Sequence, residues 1–184
     1  FHFVEPALVT SKTSLWHDAY FNVQSPEQFA LRVLGTPGWL VYNSITSLIT
    51  HKKEDGRYYF YYPPIWKKHP RTDHFRGKVY VLINGCSFSA SSVLSANLKG
   101  SGRAVFVGEE TGGSFNSCVA GQMPSFMLPG SKLKLSFGLL EVTTPYRCSP
   151  DGRGVMPDTP IIPTLDDRLK GVDPEMQWVL DEAN

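Results

Sequence analysis

The sequence predicts an α/β domain, and three observations carry that expectation. The segment from Lys78, with the apolar run 79–83, reads as a buried strand. It leads through a tight turn into a helix that opens with small hydroxyl residues. That helix stops at Gly100 and Gly102, and a second short apolar strand follows over 104–108. The order then runs loop, strands and a last helix, an alternation suited to helices packed on a mixed sheet.

The remaining elements are taken in order. Phe1 stands where a Met would, inside the apolar stretch Phe1, Phe3 and Val4, so a processed piece or a fragment with missing upstream chain is expected. Ser25-Pro26-Glu27-Gln28 is a capping box with Pro at the first helical position. It predicts a helix to about residue 34, ended by Gly35, Pro37 and Gly38. Residues 41–50 and 57–62 are rich in β-branched and aromatic side chains. Glu54-Asp55-Gly56 between them signals a hairpin turn. The run Tyr58-Tyr59-Phe60-Tyr61-Tyr62 is a strand packed on both faces or a ligand-stacking ribbon. Pro63-Pro64 stops it, and 66–76 is a polar, basic surface loop.

Beyond the second core strand, 109–114 reads as a flexible polar loop. Residues 132–144 alternate as one or two strands. Leu133, Leu135 and Phe137 share a face, and Gly138 marks a bend. Residues 149–154 form a turn-rich loop, and Asp173-Pro174-Glu175 caps a final helix through Leu180. Residues 10–77 do not follow the βα alternation. The chain is therefore divided into an upstream lobe or insertion, 1–77, and a core, 78–184.

Charged residues are 19 % and apolar residues 41 %, the balance of a soluble globular chain rather than a disordered one. A formal charge of +1 points to no nucleic-acid partner. No apolar run is long enough for a membrane helix. The three cysteines are Cys86, Cys118 and Cys148. An odd number leaves at least one unpaired, and Cys118 with Cys148 is the pair that could bridge; three free thiols is the other reading. No CxxC or HxxxH spacing suggests a metal, and no cofactor is implied. Cys86, at the strand end, is expected to face the core.

Ser89 stands at the turn-to-helix junction of Ser87-Phe88-Ser89-Ala90. The first amides of a helix lack intrahelical acceptors and carry partial positive charge, so a nucleophilic serine there sits beside oxyanion donors. The competing reading is that Ser87 or Ser89 only caps the helix. Gly112-Gly113 either lets a substrate strand approach the backbone or is a flexible turn. Asp151 is a candidate carboxylate or the stabiliser of its own Pro-Asp-Gly turn, and Asp158 reads as structural.

Four segments stand in order: the strand leading to Ser89, Val107-Gly108-Glu109-Glu110-Thr111-Gly112-Gly113, the hairpin from Lys132, and Gly154-Val155-Met156-Pro157-Asp158. Together they resemble the S41 serine peptidases, the C-terminal processing protease family that includes tricorn-type proteases. The resemblance covers about residues 78–164. It implies a ClpP/crotonase-like spiral of ββα units, here with an inserted aromatic-rich hairpin region. It implies Ser89 as nucleophile and the backbone N–H of Ala90 as an oxyanion donor. It also implies an extended peptide substrate, or an unfolded protein tail, beside Gly112, Gly113 and Ser114. An extracytoplasmic location, periplasmic or secreted, is expected from the same likeness.

The sequence departs from the processing-protease pattern in two places. Ser114 occupies the place of that branch's Lys base, and Ser92 occupies the place of a Glu after the nucleophile. The tricorn-like branch instead pairs the serine with a histidine, and a late carboxylate polarises the site. The position matching that carboxylate is Asp151, where the family carries Glu. The histidine is expected upstream of this sequence rather than among His2, His17, His51, His69 or His74. A serine hydroxyl needs such a base at neutral pH, and a carboxylate can fix the imidazole tautomer. The expected activity is a serine endopeptidase. The alternatives are an inactive peptide- or ligand-binding module on the same fold and a crotonase-like acyl-CoA enzyme.

Overall fold

A computed structural model describes residues 7–9, 26–61, 71–121, 123 and 125–183. Mixed helices and strands make the chain α/β. It divides into two compact units, one of Lys68–Cys118 and Thr144–Asn184, the other of His2–Lys67 and Val119–Thr143.

In the first unit, β4 (Tyr80–Ile83), β5 (Val105–Gly108) and β10 (Thr159–Pro160) form a parallel sheet in the order β10-β5-β4. Parallel neighbours need a crossover, and α2 (Ala90–Gly100) supplies it between β4 and β5. The helix buries Ser92, Val93, Ser95, Ala96 and Asn97. Residues four apart lie on one helix face, so 92 with 96 and 93 with 97 make that face. Ala96 joins Ile83, Phe106, Phe115 and Val155 in the core, with Val81, Leu98, Ala104, Tyr146 and Cys148 packed around them. α2 ends as its small residues predict. Gly102 takes φ +64, and its amide donates to the Lys99 carbonyl.

Asp158 is structural, as its position suggested. It accepts from the Lys99 ammonium and from the Phe106 amide at 2.9 Å, tying the chain before β10 to α2 and β5. Partial burial pushes its carboxyl up, but the Lys99 and Phe106 donors outweigh that and hold it below the usual carboxylate range. A folded-state value below the unfolded one stabilises fully above about pH 4, and the contribution fades as pH falls through the lower folded value. Asp158→Asn should therefore flatten the acid limb of the stability curve, read as urea midpoints between about pH 2 and 6.

The final helix, α4 (Pro174–Ala183), starts where Asp173 accepts from the Met176 amide at 2.9 Å. Trp178 meets Tyr80 of β4 edge-on at 6.2 Å. A short α3 (Leu165–Lys170) precedes it, an element missed from sequence. Thr164 and Asp167 cap it reciprocally, a signal that was present in the residues.

In the second unit, β1 (Ala7–Val9) pairs antiparallel with β3 (Tyr58–Phe60) and β9 (Leu140–Thr143). β2 (Thr50–Lys52) and β3 form an antiparallel hairpin. Its turn is held by Asp55, which accepts from the Arg57 amide at 2.9 Å and the Tyr59 hydroxyl at 2.7 Å. The sheet order is β2-β3-β1-β9-β6, with β6 at Ser117–Ala120. β7 (Ser125–Met127) and β8 (Lys134–Ser136) pair separately. Residues 132–144 are thus two strands that part at Phe137-Gly138-Leu139. Leu133, Leu135 and Phe137 are exposed.

Three expectations are corrected. The parallel ladders of β10, β5 and β4 lie in one sheet and the antiparallel ladders of β1, β2, β3 and β9 in another, rather than together in one mixed sheet. Residues 26–48 form one helix, α1 (Pro26–Leu48), which runs through Gly35, Pro37 and Gly38. The predicted strand from 41 is therefore helical up to Leu48. Val41, Ile45 and Leu48 recur at helical spacing, a signal that β-branched composition masked, although all three are exposed. Thr46 and Thr50, four apart, are buried, and the Thr50 hydroxyl donates to the Thr46 carbonyl at 2.6 Å. Finally, Cys86 is exposed, because it sits at the corner of the turn beyond β4. The cap residue Ser25, Tyr62, Pro63-Pro64 and His69 lie outside the described residues. Among the described residues no helix is long and apolar enough to cross a membrane.

Candidate active site

The turn after β4 is built from Asn84. Its carbonyl accepts from the Ser87 amide at 2.9 Å, and its side-chain oxygen accepts from the Cys86 amide at 2.9 Å. The Ser87 hydroxyl accepts from the Asn84 amide at 3.3 Å. Ser87 is thereby committed to the turn.

Ser89 follows at φ 52 and ψ −118, exposed, at the N-cap position of α2, yet its side chain makes no capping bond. Positive φ at a non-glycine residue costs on the order of 1–3 kcal/mol and persists only where surroundings enforce it. The enforcement is visible. The Ser89 carbonyl accepts from the Val93 amide at 3.0 Å and the Ser92 hydroxyl at 2.8 Å. The Phe88 carbonyl accepts from the Ser91 amide and hydroxyl, and the Ser87 carbonyl accepts from the Gly113 amide at 3.0 Å. The capping role weighed for Ser89 is not what the structure shows.

Ala90 is the first residue of α2. Its amide donates to no acceptor among the described residues, as expected of a first-turn N–H. It carries the positive end of the helix dipole and can accept an anion.

The loop after β5, read from sequence as flexible, is tethered on both sides. A Cβ on Gly112 would strike the Gly85 carbonyl oxygen and the Phe88 ring. One on Gly113 would strike the Ser92 hydroxyl. Neither glycine has positive φ, so their role is space: they let the loop press against the serine turn. On the other side the loop pairs with 153–155. Thr111 donates its amide to the Val155 carbonyl at 3.1 Å, and Phe115 donates to the Arg153 carbonyl at 2.8 Å. Ser114 bridges Gly154 antiparallel. Glu110 accepts from Arg153 Nε at 2.9 Å, from Arg153 Nη2 at 2.7 Å and from the Gly154 amide at 2.7 Å. Arg153 first, then Gly154, hold the Glu110 carboxyl below its ordinary range.

Asp151 is exposed. Its Oδ1 accepts from Asn116 Nδ2 at 2.8 Å and from the Gly152 amide at 2.9 Å. Those donors, Asn116 foremost, keep its carboxyl below the usual range and ionised at neutral pH. Asn116 also donates to the Cys148 carbonyl at 3.0 Å and accepts from the Cys148 amide at 2.8 Å. Its own amide donates to the Ser114 hydroxyl at 3.3 Å. The candidates therefore form two groups. Gly112 and Gly113 touch the turn that carries Ser89 and Ala90, while Ser114 and Asp151 meet through Asn116. Sequence reasoning missed Asn116, because a lone Asn between a loop and a strand carries no periodic signal.

The Ser89 hydroxyl has no hydrogen-bond partner among the described residues. Lys99 is engaged by Asp158, the His51 ring stacks edge-on to Tyr61, and His74 Nδ1 lies 2.6 Å from the Arg71 carbonyl. Cys86, Cys118 and Cys148 are free thiols, and burial pushes the Cys118 thiol up.

The sequence profile of Peptidase family S41 matches residues 37–161, a span that contains every one of these side chains. The chain belongs to peptidase family S41. Among solved structures, this S41 chain is similar to a photosystem II D1 C-terminal processing protease. The identity is 27 %, over 48 % of this chain and 21 % of that one, with a TM-score of 0.34. It is also similar to a protein from Parabacteroides merdae described as a candidate peptidase. There the identity is 24 %, over 60 % of this chain and 33 % of that one, with a TM-score of 0.42. The S41 chain thus spans a fifth to a third of the length of these two proteins. No curated protein matches it.

Proposed function

We propose that the protein hydrolyses peptide bonds as a serine endopeptidase, through an acyl-enzyme on Ser89. The observation that carries this reading is the enforced positive φ of Ser89. It stands at a strand–turn–helix junction with its hydroxyl uncommitted and the Ala90 amide free beside it. Backbone strain is retained at functional sites when it serves the mechanism. In the reaction Ser89 Oγ attacks the scissile carbonyl carbon while a base takes the hydroxyl proton. The oxyanion is received by the Ala90 N–H, and collapse expels the amine, which takes that proton. Water then cleaves the ester and regenerates the serine. The proposed base is a histidine outside this sequence, as in the tricorn-like branch. Asp151 is the carboxylate that polarises the site.

The substrate is an extended peptide or unfolded tail that adds a strand beside 112–114. Supporting this, the Thr111 and Phe115 amides are used by 153–155, while the Gly112 and Ser114 amides meet no acceptor among the described residues. The fold proposed with it is the ClpP/crotonase-like spiral, with the β2–β3 hairpin region as an insertion; the β4–α2–β5 crossover supports it. The location proposed is extracytoplasmic, on the family likeness.

One observation favours a second reading, an inactive peptide-binding module: no base reaches the Ser89 hydroxyl among the described residues. A fluorophosphonate probe on the full-length protein separates the two. An adduct mapped by peptide mass to Ser89 supports the hydrolase, and a folded, unlabelled protein supports the binding module. Asp151→Asn should lower kcat by more than it changes KM. A change confined to KM would assign Asp151 to substrate binding.

A further inference from the structure

We infer that Ser92 is a positioning residue for the oxyanion donor: its hydroxyl fixes the Ser89–Ala90 peptide plane and so aims the Ala90 N–H. The inference rests on the reading of Ser89 as nucleophile. A trans peptide is planar, with its C=O and N–H pointing in opposite directions. Whatever holds the Ser89 carbonyl therefore also sets the direction of the Ala90 amide. That carbonyl accepts from the Ser92 hydroxyl at 2.8 Å and the Val93 amide at 3.0 Å.

The plane needs holding. At φ 52 the accessible well for a non-glycine residue has ψ near +30 to +60°, whereas Ser89 has ψ −118. Local strain thus favours turning the Ser89–Ala90 plane, which would swing the Ala90 N–H away from the place where the oxyanion forms. Two hydrogen bonds to the Ser89 oxygen oppose that rotation, and only one comes from the helix backbone itself. Ser92 is 0 % exposed, and a Cβ on Gly113 would collide with its hydroxyl. The loop of Gly113 therefore confines Ser92 in its place.

The test uses the full-length protein and Ser92→Ala, with Ser92→Cys as a filled, weakly donating second variant. Ser101→Ala is the control. It removes a similar hydroxyl-to-carbonyl bond, 2.7 Å to Asn97, at the far end of α2. Loss of one oxyanion donor costs about 10²–10³ in kcat, so a misaimed donor should cost roughly 10–100-fold. We expect kcat of Ser92→Ala to fall by that factor with KM within about twofold, and Ser92→Cys to lie between it and the parent. Affinity for a peptide boronate, whose tetrahedral adduct places an oxygen at the donor, should fall in parallel. Affinity for the cleaved product peptide should stay unchanged. Unchanged kcat, or boronate and product affinities falling together in both Ser92 variants, would overturn the inference while leaving Ser89 intact. A parent that neither turns over peptide nor takes the fluorophosphonate would overturn both readings.

Discussion

Replacing Ser89 by alanine is expected to lower peptide hydrolysis by roughly 10⁴-fold or more while leaving the protein as stable as before, within about 0.5 kcal/mol. Loss of activity follows from removing the atom that bonds to the substrate. The unchanged stability follows from the geometry: the hydroxyl is exposed and caps nothing, and alanine meets the same penalty at φ 52 as serine does. Ser89→Gly should be equally inactive but about 1 kcal/mol more stable than Ser89→Ala, because glycine occupies positive φ without strain. Peptide hydrolysis assays with urea unfolding of the three proteins give the comparison. Turnover by Ser89→Ala equal to the parent would end the hydrolase reading. A glycine variant no more stable than the alanine variant would mean that the junction is unstrained.

Gly108→Ala should be the most damaging change to stability, about 3 kcal/mol or more. Two penalties coincide there. Gly108 has φ +117, where an L side chain is strained, and its absent Cβ points at the Ile83 carbonyl oxygen on β4. That oxygen cannot simply withdraw, because it accepts from the Glu109 amide at 2.8 Å. Any displacement moves the end of β4, one residue before the Asn84 turn, so activity should fall along with stability. Gly152→Ala provides the contrast: φ is +85, but nothing lies within 4 Å, so only the conformational penalty of about 1 kcal/mol remains. Urea midpoints for both variants check this, and equal midpoints would show that the Ile83 contact does not matter.

Much of the region that carries Ser89 was legible in the residues. An apolar run, small turn residues and a helix with small side chains on one face describe β4, the Asn84 turn and α2, because each depends on neighbours close in sequence. Asp173 capping α4 and Asp55 in the β2–β3 turn are readable for the same reason. Residues 26–48 were misread where two local signals conflict. Gly35, Pro37 and Gly38 disfavour a helix, and β-branched side chains favour a strand, but the spacing of Val41, Ile45 and Leu48 is helical.

By itself the sequence determined the family likeness and the α/β class, and it singled out Ser89 as the candidate nucleophile, all from contiguous motifs. Only the tertiary structure decided that Ser89 is strained rather than capping. The positive φ is imposed by bonds to the Ser87, Phe88 and Ser89 carbonyls, one of them from the distant Gly113 amide. It also decided that Gly112 and Gly113 make room for the serine turn, and that Asp151 is held by Asn116. These are contacts between segments far apart in sequence. Their partners come together only when the crossover of α2 lays β5 beside β4 and the loop after β5 is pinned to 153–155.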